Sequence, residues 1–326
     1  MADRRLQLFS FGVVLGALFL FLAVRTLDWR AFSTAIAAAR PADIALVLAC
    51  LFGYFAIKAL RWRFIVSPFA QGRTRDLLPA VLAGLAGNYA FPHLGEIPRA
   101  VLAARALKAP PGALLGSIAI ERFFDFLALL AMVLVVLLPL NRMDGPIRSA
   151  SLFAAIVCAT LLAGVVLFVY RTEGCLRLAR RLLAPLPARL GDGIVHQLGQ
   201  AAVGLGAIAA PRLLTPIFAL SVLQWLAVLG CVAFSMHAVG IPVTLGGATS
   251  ALLLNVIGLT LPAAPGHVGT VQLAFIVSLA PFGVARESAF AASVVYNVLM
   301  VVPTVILGLP GLRRAGGVLR DRLAPR

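Results

Sequence analysis

The stretch Gly84-Leu-Ala-Gly-Asn-Tyr-Ala-Phe-Pro-His-Leu-Gly-Glu-Ile-Pro-Arg99 is apolar, broken by glycine and proline, and carries Asn88, His93, Glu96 and Arg99. A second stretch repeats the pattern: Asn255-Val-Ile-Gly-Leu-Thr-Leu-Pro-Ala-Ala-Pro-Gly-His-Val-Gly-Thr-Val-Gln272, with Asn255, Thr260, His267, Thr270 and Gln272. A lipid-facing helix would carry none of these polar groups. Inside a bilayer, broken backbone survives only where protein or a wet cavity satisfies the freed N–H and C=O groups. One broken apolar segment in each half of a chain points to the binding site of a transporter.

The rest of the chain agrees with a membrane setting. Of its 326 residues 61% are hydrophobic and only 12% are charged, against about 25% charged in soluble domains. The formal net charge is +16, which taken alone would suit a nucleic-acid partner. The basic residues, however, lie in the breaks between apolar runs, as cytoplasmic loops facing anionic lipid do. Nucleic acid is therefore excluded as a partner. Cys50, Cys158, Cys175 and Cys231 include no C-x-x-C pair and imply no disulfide framework.

Apolar spans are expected over Leu8–Leu27, Ala42–Ile57, Gly112–Leu140, Ala150–Tyr170, Leu213–Phe234 and Ala289–Leu309. Arg4 and Arg5 precede the first, and Arg25-Thr-Leu-Asp-Trp29 offers no cleavage site, so a retained helix is expected with Trp29 as interface anchor. The broken elements occupy Leu77–Pro98 and Leu245–Phe282, and Arg99–Lys108 reads as a short amphipathic helix. Residues 171–212 read as a basic cytoplasmic connector with an amphipathic piece at Leu176–Leu183. The expected fold is an all-α polytopic membrane protein with about six full spans and two re-entrant hairpins, about eight apolar helical elements. It forms a single transmembrane domain over 1–326.

Charge gives a topology. With both termini in the cytoplasm and both broken elements re-entering, twenty-one of the 28 Lys and Arg lie inside, the sign and strength the positive-inside rule asks for. Two pseudo-repeats, about 1–140 and 150–312, are then inverted relative to one another, and their hairpins enter from opposite faces. That arrangement brings Glu96 and Gln272 near one another around the midplane.

Ionisable side chains inside apolar runs are the remaining signal. Lys58, Arg61 and Trp62 share one helix face by their spacing, either as cations snorkelling to a surface or as a site for lipid phosphate. Glu121, Arg122 and Asp125 interrupt the third span; such a cluster marks a site or a structural ion network that pins the helix. No P-loop, H-E-x-x-H, G-x-S-x-G or metal-ligand spacing of histidines occurs. No cofactor and no catalytic chemistry are expected.

Lys58-x-x-Arg-Trp62, Gly87-Asn88 with Pro92-His-Leu-Gly-Glu96-x-x-Arg99, Glu121-Arg-x-x-Asp125 and Pro262-x-x-Pro-Gly266-x-x-Gly269 together resemble the membrane domain of the lysylphosphatidylglycerol synthetase/flippase family. The resemblance covers nearly the whole chain. It implies a bacterial inner-membrane protein that moves lipids between leaflets, above all aminoacylated phosphatidylglycerol. Larger members join this domain to a cytoplasmic aminoacyltransferase, which has no counterpart in these 326 residues. The chain departs from the family pattern at three positions. His93 stands where the family has arginine, His267 where it has glycine, and Gln272 where it has an acid. One carboxylate is lost, which argues against a dicationic headgroup, and either histidine would add charge to the site on protonation.

The expectation is a flippase or scramblase for a polar-headed lipid of phospho- or isoprenoid type, compatible with a homo-oligomer. Lys58, Arg61 and Arg99 would meet phosphate and Glu96 an amine, with Glu121 and Asp125 orienting the cations and Arg122 or Arg99 paired to a carboxylate. Asn88, His93, His267 and Gln272 would line the hairpins. The alternatives are a secondary transporter of a small solute, a membrane-embedded lipid-carrier transferase with Glu96 or His93 as base, and an assembly subunit without cargo.

Overall fold

In the computed structural model the described residues are 2–91, 94–137, 210–259 and 264–323. Among them every regular element is helical: α1 (Ala2–Val24), α2 (Trp29–Ala37), α3 (Pro41–Val66), α4 (Thr74–Ala90), α5 (Glu96–Leu107), α6 (Pro111–Leu137), α7 (Pro211–Ala238), α8 (Leu245–Leu259), α9 (Thr270–Leu279) and α10 (Arg286–Leu323). Short 3-10 turns at Pro265–His267 and Ala280–Phe282 flank α9. The expected span Ala150–Tyr170, the connector up to residue 209, His93, Thr260 and Pro262 lie outside the described residues.

Among the described residues four stretches are long and apolar enough to cross a bilayer: Pro41–Val66, Arg212–Ala238, Pro265–Phe282 and Arg286–Val318. At 27 residues α6 matches them in length, but Glu121, Arg122 and Asp125 interrupt its apolar run. The protein is an all-α, multi-pass membrane protein.

Local chemistry sets the helix ends. Pro41, Pro111 and Pro211 each open a helix, where the missing N–H costs nothing because the first turn has no partner for it. The Asp28 carboxylate accepts from the N–H groups of Arg30 (2.8 Å) and Ala31 (3.2 Å) and so starts α2. This short helix is absent from the sequence expectation, and Trp29, expected as the anchor at the end of a span, is its first residue.

Two more boundaries differ from expectation. The helix before the first break runs to Ala90, and α5 begins at Glu96 rather than Arg99. Pro98 sits inside the first turn of α5, where a proline can stay helical, so it does not end the broken element. The last helix runs through Pro303 and Pro310 to Leu323, well past the expected Leu309.

The chain divides into two compact units. Unit 1 comprises residues 1–55, 82–95 and 224–313. Its helices approach through small residues, as membrane helices do when apolar burial gives no preference over lipid. Gly16 of α1 meets the chain before α9: a Cβ at Gly269 would lie 2.9 Å from the Leu20 nitrogen, and Gly269 itself has φ +87°. Only glycine satisfies both conditions there. In the same unit Gly308 of α10 faces Ala86 of α4, and Gly230 of α7 faces Cys50 of α3. Arg286 closes the C-terminal end of α1 by donating to the carbonyls of Leu22 and Ala23 (Nη2 to Ala23, 3.1 Å), groups the helix itself leaves unpaired.

Unit 2 comprises residues 56–81, 96–223 and 314–326. It buries Trp62, Ile65, Leu77, Leu114, Ile120 and Ile217 around a set of charged side chains.

Candidate functional site

The site is built from four helices of unit 2. The second half of α3 presents Lys58, Arg61 and Trp62; α5 presents Glu96 and Arg99; α6 presents Ser117, Glu121, Arg122 and Asp125; the start of α7 presents Ser221. Lys58, Arg61 and Trp62 do share one face, as their spacing predicts, and that face is fully buried. Snorkelling is thereby excluded for Lys58 and Arg61, while their neighbour Arg63 is exposed.

Glu121 is the centre. Its side chain is 0% exposed and three cations converge on it. Arg99 grips it with both terminal nitrogens, Nη1 to Oε1 at 3.1 Å and Nη2 to Oε2 at 2.5 Å. Lys58 Nζ donates to Oε1, and Arg61 Nη2 lies 3.3 Å from the same oxygen. The two-pronged geometry suits the planar guanidinium fork.

Both arginines have a second support. Arg61 Nη1 donates to Asp125 Oδ1 (2.7 Å) and to Ser221 Oγ (2.7 Å), and Ser221 donates onward to the Ile217 carbonyl at 2.8 Å. The guanidinium carbon of Arg99 sits 3.9 Å above the Trp62 ring, a cation–π contact that also fixes the plane of the fork. The Trp62 indole N–H donates to Ser117 Oγ at 2.9 Å.

Outward from this centre the network opens. Arg122 donates to Glu96 Oε1 and lies 3.7 Å from Asp125. Glu96 Oε2 is 3.5 Å from Arg99 Nη1. The Arg122 side chain is 49% exposed and that of Glu96 18%, against 0 to 7% for the others. The cluster thus has a sealed interior and one accessible pair. Among the described residues it contains four cations and three carboxylates, a net single positive charge.

Glu96 stands directly after the first break. Asn88 Oδ1 accepts from the Gly95 N–H at 2.9 Å and closes that turn. A Cβ at Gly95 would lie 2.6 Å from the Asn88 nitrogen, so the turn closes only on glycine. Asn88 therefore builds the turn that precedes Glu96.

Among the described residues the second break, in unit 1, carries no charged network. Gln272 Oε1 accepts from the Gly269 N–H at 2.7 Å and caps α9. Asn297 Nδ2 donates to the Gly266 carbonyl at 3.0 Å, and Asn255 Nδ2 to the Tyr296 hydroxyl at 3.2 Å. His267 is buried at φ +55° with its ring edge-on to Tyr89, centroids 5.8 Å apart. Tyr89 belongs to the first broken element, so the two elements do meet within unit 1. Gln272 lies in unit 1 and Glu96 in unit 2.

Sequence reasoning misses several partners. Ser117 and Ser221 are single polar residues in apolar runs and Tyr296-Asn297 is an adjacent polar pair in another, and that isolation is their only signal. It misses as well the unit 1 chain in which His237 Nδ1 meets Asp43 Oδ2 (2.9 Å) and Nε2 meets Arg40 Nη1 (3.2 Å). The link spans 194 residues of sequence.

A helix of membrane-spanning length that carries a carboxylate clasped by three cations at its middle, reached among the described residues through one open ion pair, defines a polytopic membrane protein with an internal polar site. The sequence profile of the family described as the Lysylphosphatidylglycerol synthase TM region matches residues 9–308. The chain belongs to that family and is a membrane protein of lipid metabolism or transport. Among curated proteins none matches it.

Proposed function

We propose that the chain is a flippase or scramblase that moves a lipid with a phosphate-bearing headgroup between the leaflets of the bacterial inner membrane. The observation that carries this reading is the Glu121 network: charges in the middle of a membrane helix, held in protein and open at Arg122 and Glu96. An unpaired charge at the bilayer centre costs at least about 2.5–3.5 kcal/mol. A site that meets a headgroup with complementary charge removes most of that barrier while the tails stay in lipid. No bond is made or broken, so the side chains need only bind and release. The same proposal carries the topology expected from the charges, with both termini cytoplasmic and two inverted halves.

The test is reconstitution into liposomes with tail-labelled phosphatidylglycerol and reduction of the outer-leaflet label by dithionite. Vesicles holding the protein should lose label beyond the outer-leaflet share, and Arg122→Gln should abolish the excess. Protein-containing vesicles that behave as empty ones would overturn the lipid-moving reading.

A further inference from the structure

The network holds two kinds of ion pair. Those made by Glu121 and by Asp125 with Arg61 are sealed, their side chains 0 to 7% exposed. The Arg122–Glu96 pair is the one in which both partners are reachable, at 49% and 18% exposure. Carboxylate and phosphate oxygens both fit the guanidinium fork in the same two-pronged way, so Glu96 occupies on Arg122 the position that a phosphate would take. Glu96 also has somewhere to go: its other oxygen already lies 3.5 Å from Arg99.

From this geometry we infer that Glu96 is an internal stand-in for the ligand, displaced from Arg122 by the phosphate of a lipid carrying a single negative charge. The inference rests on the lipid reading above and names its ligand and its order of events. Four cations against three carboxylates leave the described cluster with one positive charge, and a phosphodiester monoanion brings it to neutrality. A neutral assembly is the form in which buried charges are least costly in low dielectric. A zwitterionic headgroup restores the imbalance with its own amine, and a dianionic phosphomonoester overshoots it. When the ligand leaves, Glu96 returns to Arg122, so the arginine is never left unpaired between cycles. Glu96 is thus a specificity residue that competes with the ligand, rather than one that attracts an amine.

The experiment is calorimetric titration of the purified full chain with dihexanoyl-phosphatidylglycerol, dihexanoyl-phosphatidylcholine and glycerophosphoglycerol, the last being the same headgroup without tails. Wild type should prefer the first. Glu96→Gln should bind it about fivefold tighter, the size of one partly exposed ion pair removed as competitor, and Arg122→Gln about tenfold or more weaker. Glu96→Asp, one methylene shorter, should also tighten binding and serves if Glu96→Gln does not fold. Unchanged affinity in both Glu96 variants would overturn the exchange, as would a preference for phosphatidylcholine. Glycerophosphoglycerol binding as tightly as the lipid would overturn the lipid ligand. If the Glu96 variants are unchanged while wild type still moves phosphatidylglycerol, the exchange alone is wrong. If no lipid is bound or moved by any variant, the flippase reading falls with it.

Discussion

The Glu121 network of unit 2 and the second break of unit 1 both bury polar side chains, and they satisfy them in opposite ways. In unit 2 the buried groups are charged and their partners come from other helices: Lys58 and Arg61 of α3 reach Glu121 and Asp125 of α6, and Arg99 of α5 joins them. In unit 1 the groups around the second break are uncharged and serve its backbone: Gln272 caps the helix that follows it, and Asn297 takes a carbonyl that it frees. A buried charge is costly until an opposite charge meets it, so it forces helices together in one register. A freed peptide group needs only one donor or acceptor nearby. The centre of unit 2 is thus held by charged pairs between helices, and the second break of unit 1 by uncharged hydrogen bonds to its backbone.

Four substitutions break or sharpen this contrast. The largest effect is expected for Glu121→Gln, which leaves three buried cations short of their shared anion. Loss of one member of a buried pair costs about 3–5 kcal/mol, so the variant should express poorly and melt well below wild type in detergent. A melting temperature equal to wild type would show that the pairs do not hold unit 2. Next is Gly269→Ala in unit 1, where a Cβ would strike α1 and φ is +87°. Backbone strain of this kind costs about 1–3 kcal/mol, read as an intermediate loss of thermal stability; no loss would mean that the approach of α1 is not tight.

Ser221→Ala is expected to come third. It removes one hydrogen bond to Arg61 while the Asp125 pair persists, a loss of about 1.5 kcal/mol. A fall as deep as that of Glu121→Gln would mean that the serine, not the carboxylates, positions Arg61. The smallest stability effect belongs to Arg122→Gln, because the side chain is half exposed and such pairs contribute about 0–1 kcal/mol. Its transport should nevertheless be lost. A variant that melts like wild type but moves no lipid separates the open pair from the sealed ones.

Much of unit 2 is legible in the amino-acid sequence. Spacing alone puts Lys58, Arg61 and Trp62 on one face, and the charges at Glu121, Arg122 and Asp125 stand out inside an apolar run. The pairing is not legible, because any of four cations suits any of three carboxylates until the helices are placed. Burial escapes for the same reason: Lys58 and Arg61 near a helix end suit snorkelling until α6 brings them anions. The breaks are legible from glycine and proline, but their extents are not. Pro98 reads as a breaker in sequence and is tolerated because it falls in a first turn. The α2 helix escapes because its nine residues are too short and too polar to look like a span, although Asp28 marks its start. Gln272 stands out as a polar residue in a broken apolar segment, but the bond by which its oxygen caps the helix on which it stands is not legible.

The arrangement around Glu121 bears on how the chain is made. As an isolated segment α6 is a poor candidate for insertion, since charged residues at a helix centre cost about 2.5–3.5 kcal/mol apiece on translocon scales. Its countercharges at Lys58, Arg61, Glu96 and Arg99 all lie upstream and leave the ribosome first. When α6 emerges, the segments that neutralise it have already been synthesised. Reversing that order, for instance by circular permutation that delivers α6 ahead of α3 and α5, would present the translocon with a charged helix and nothing to shield it.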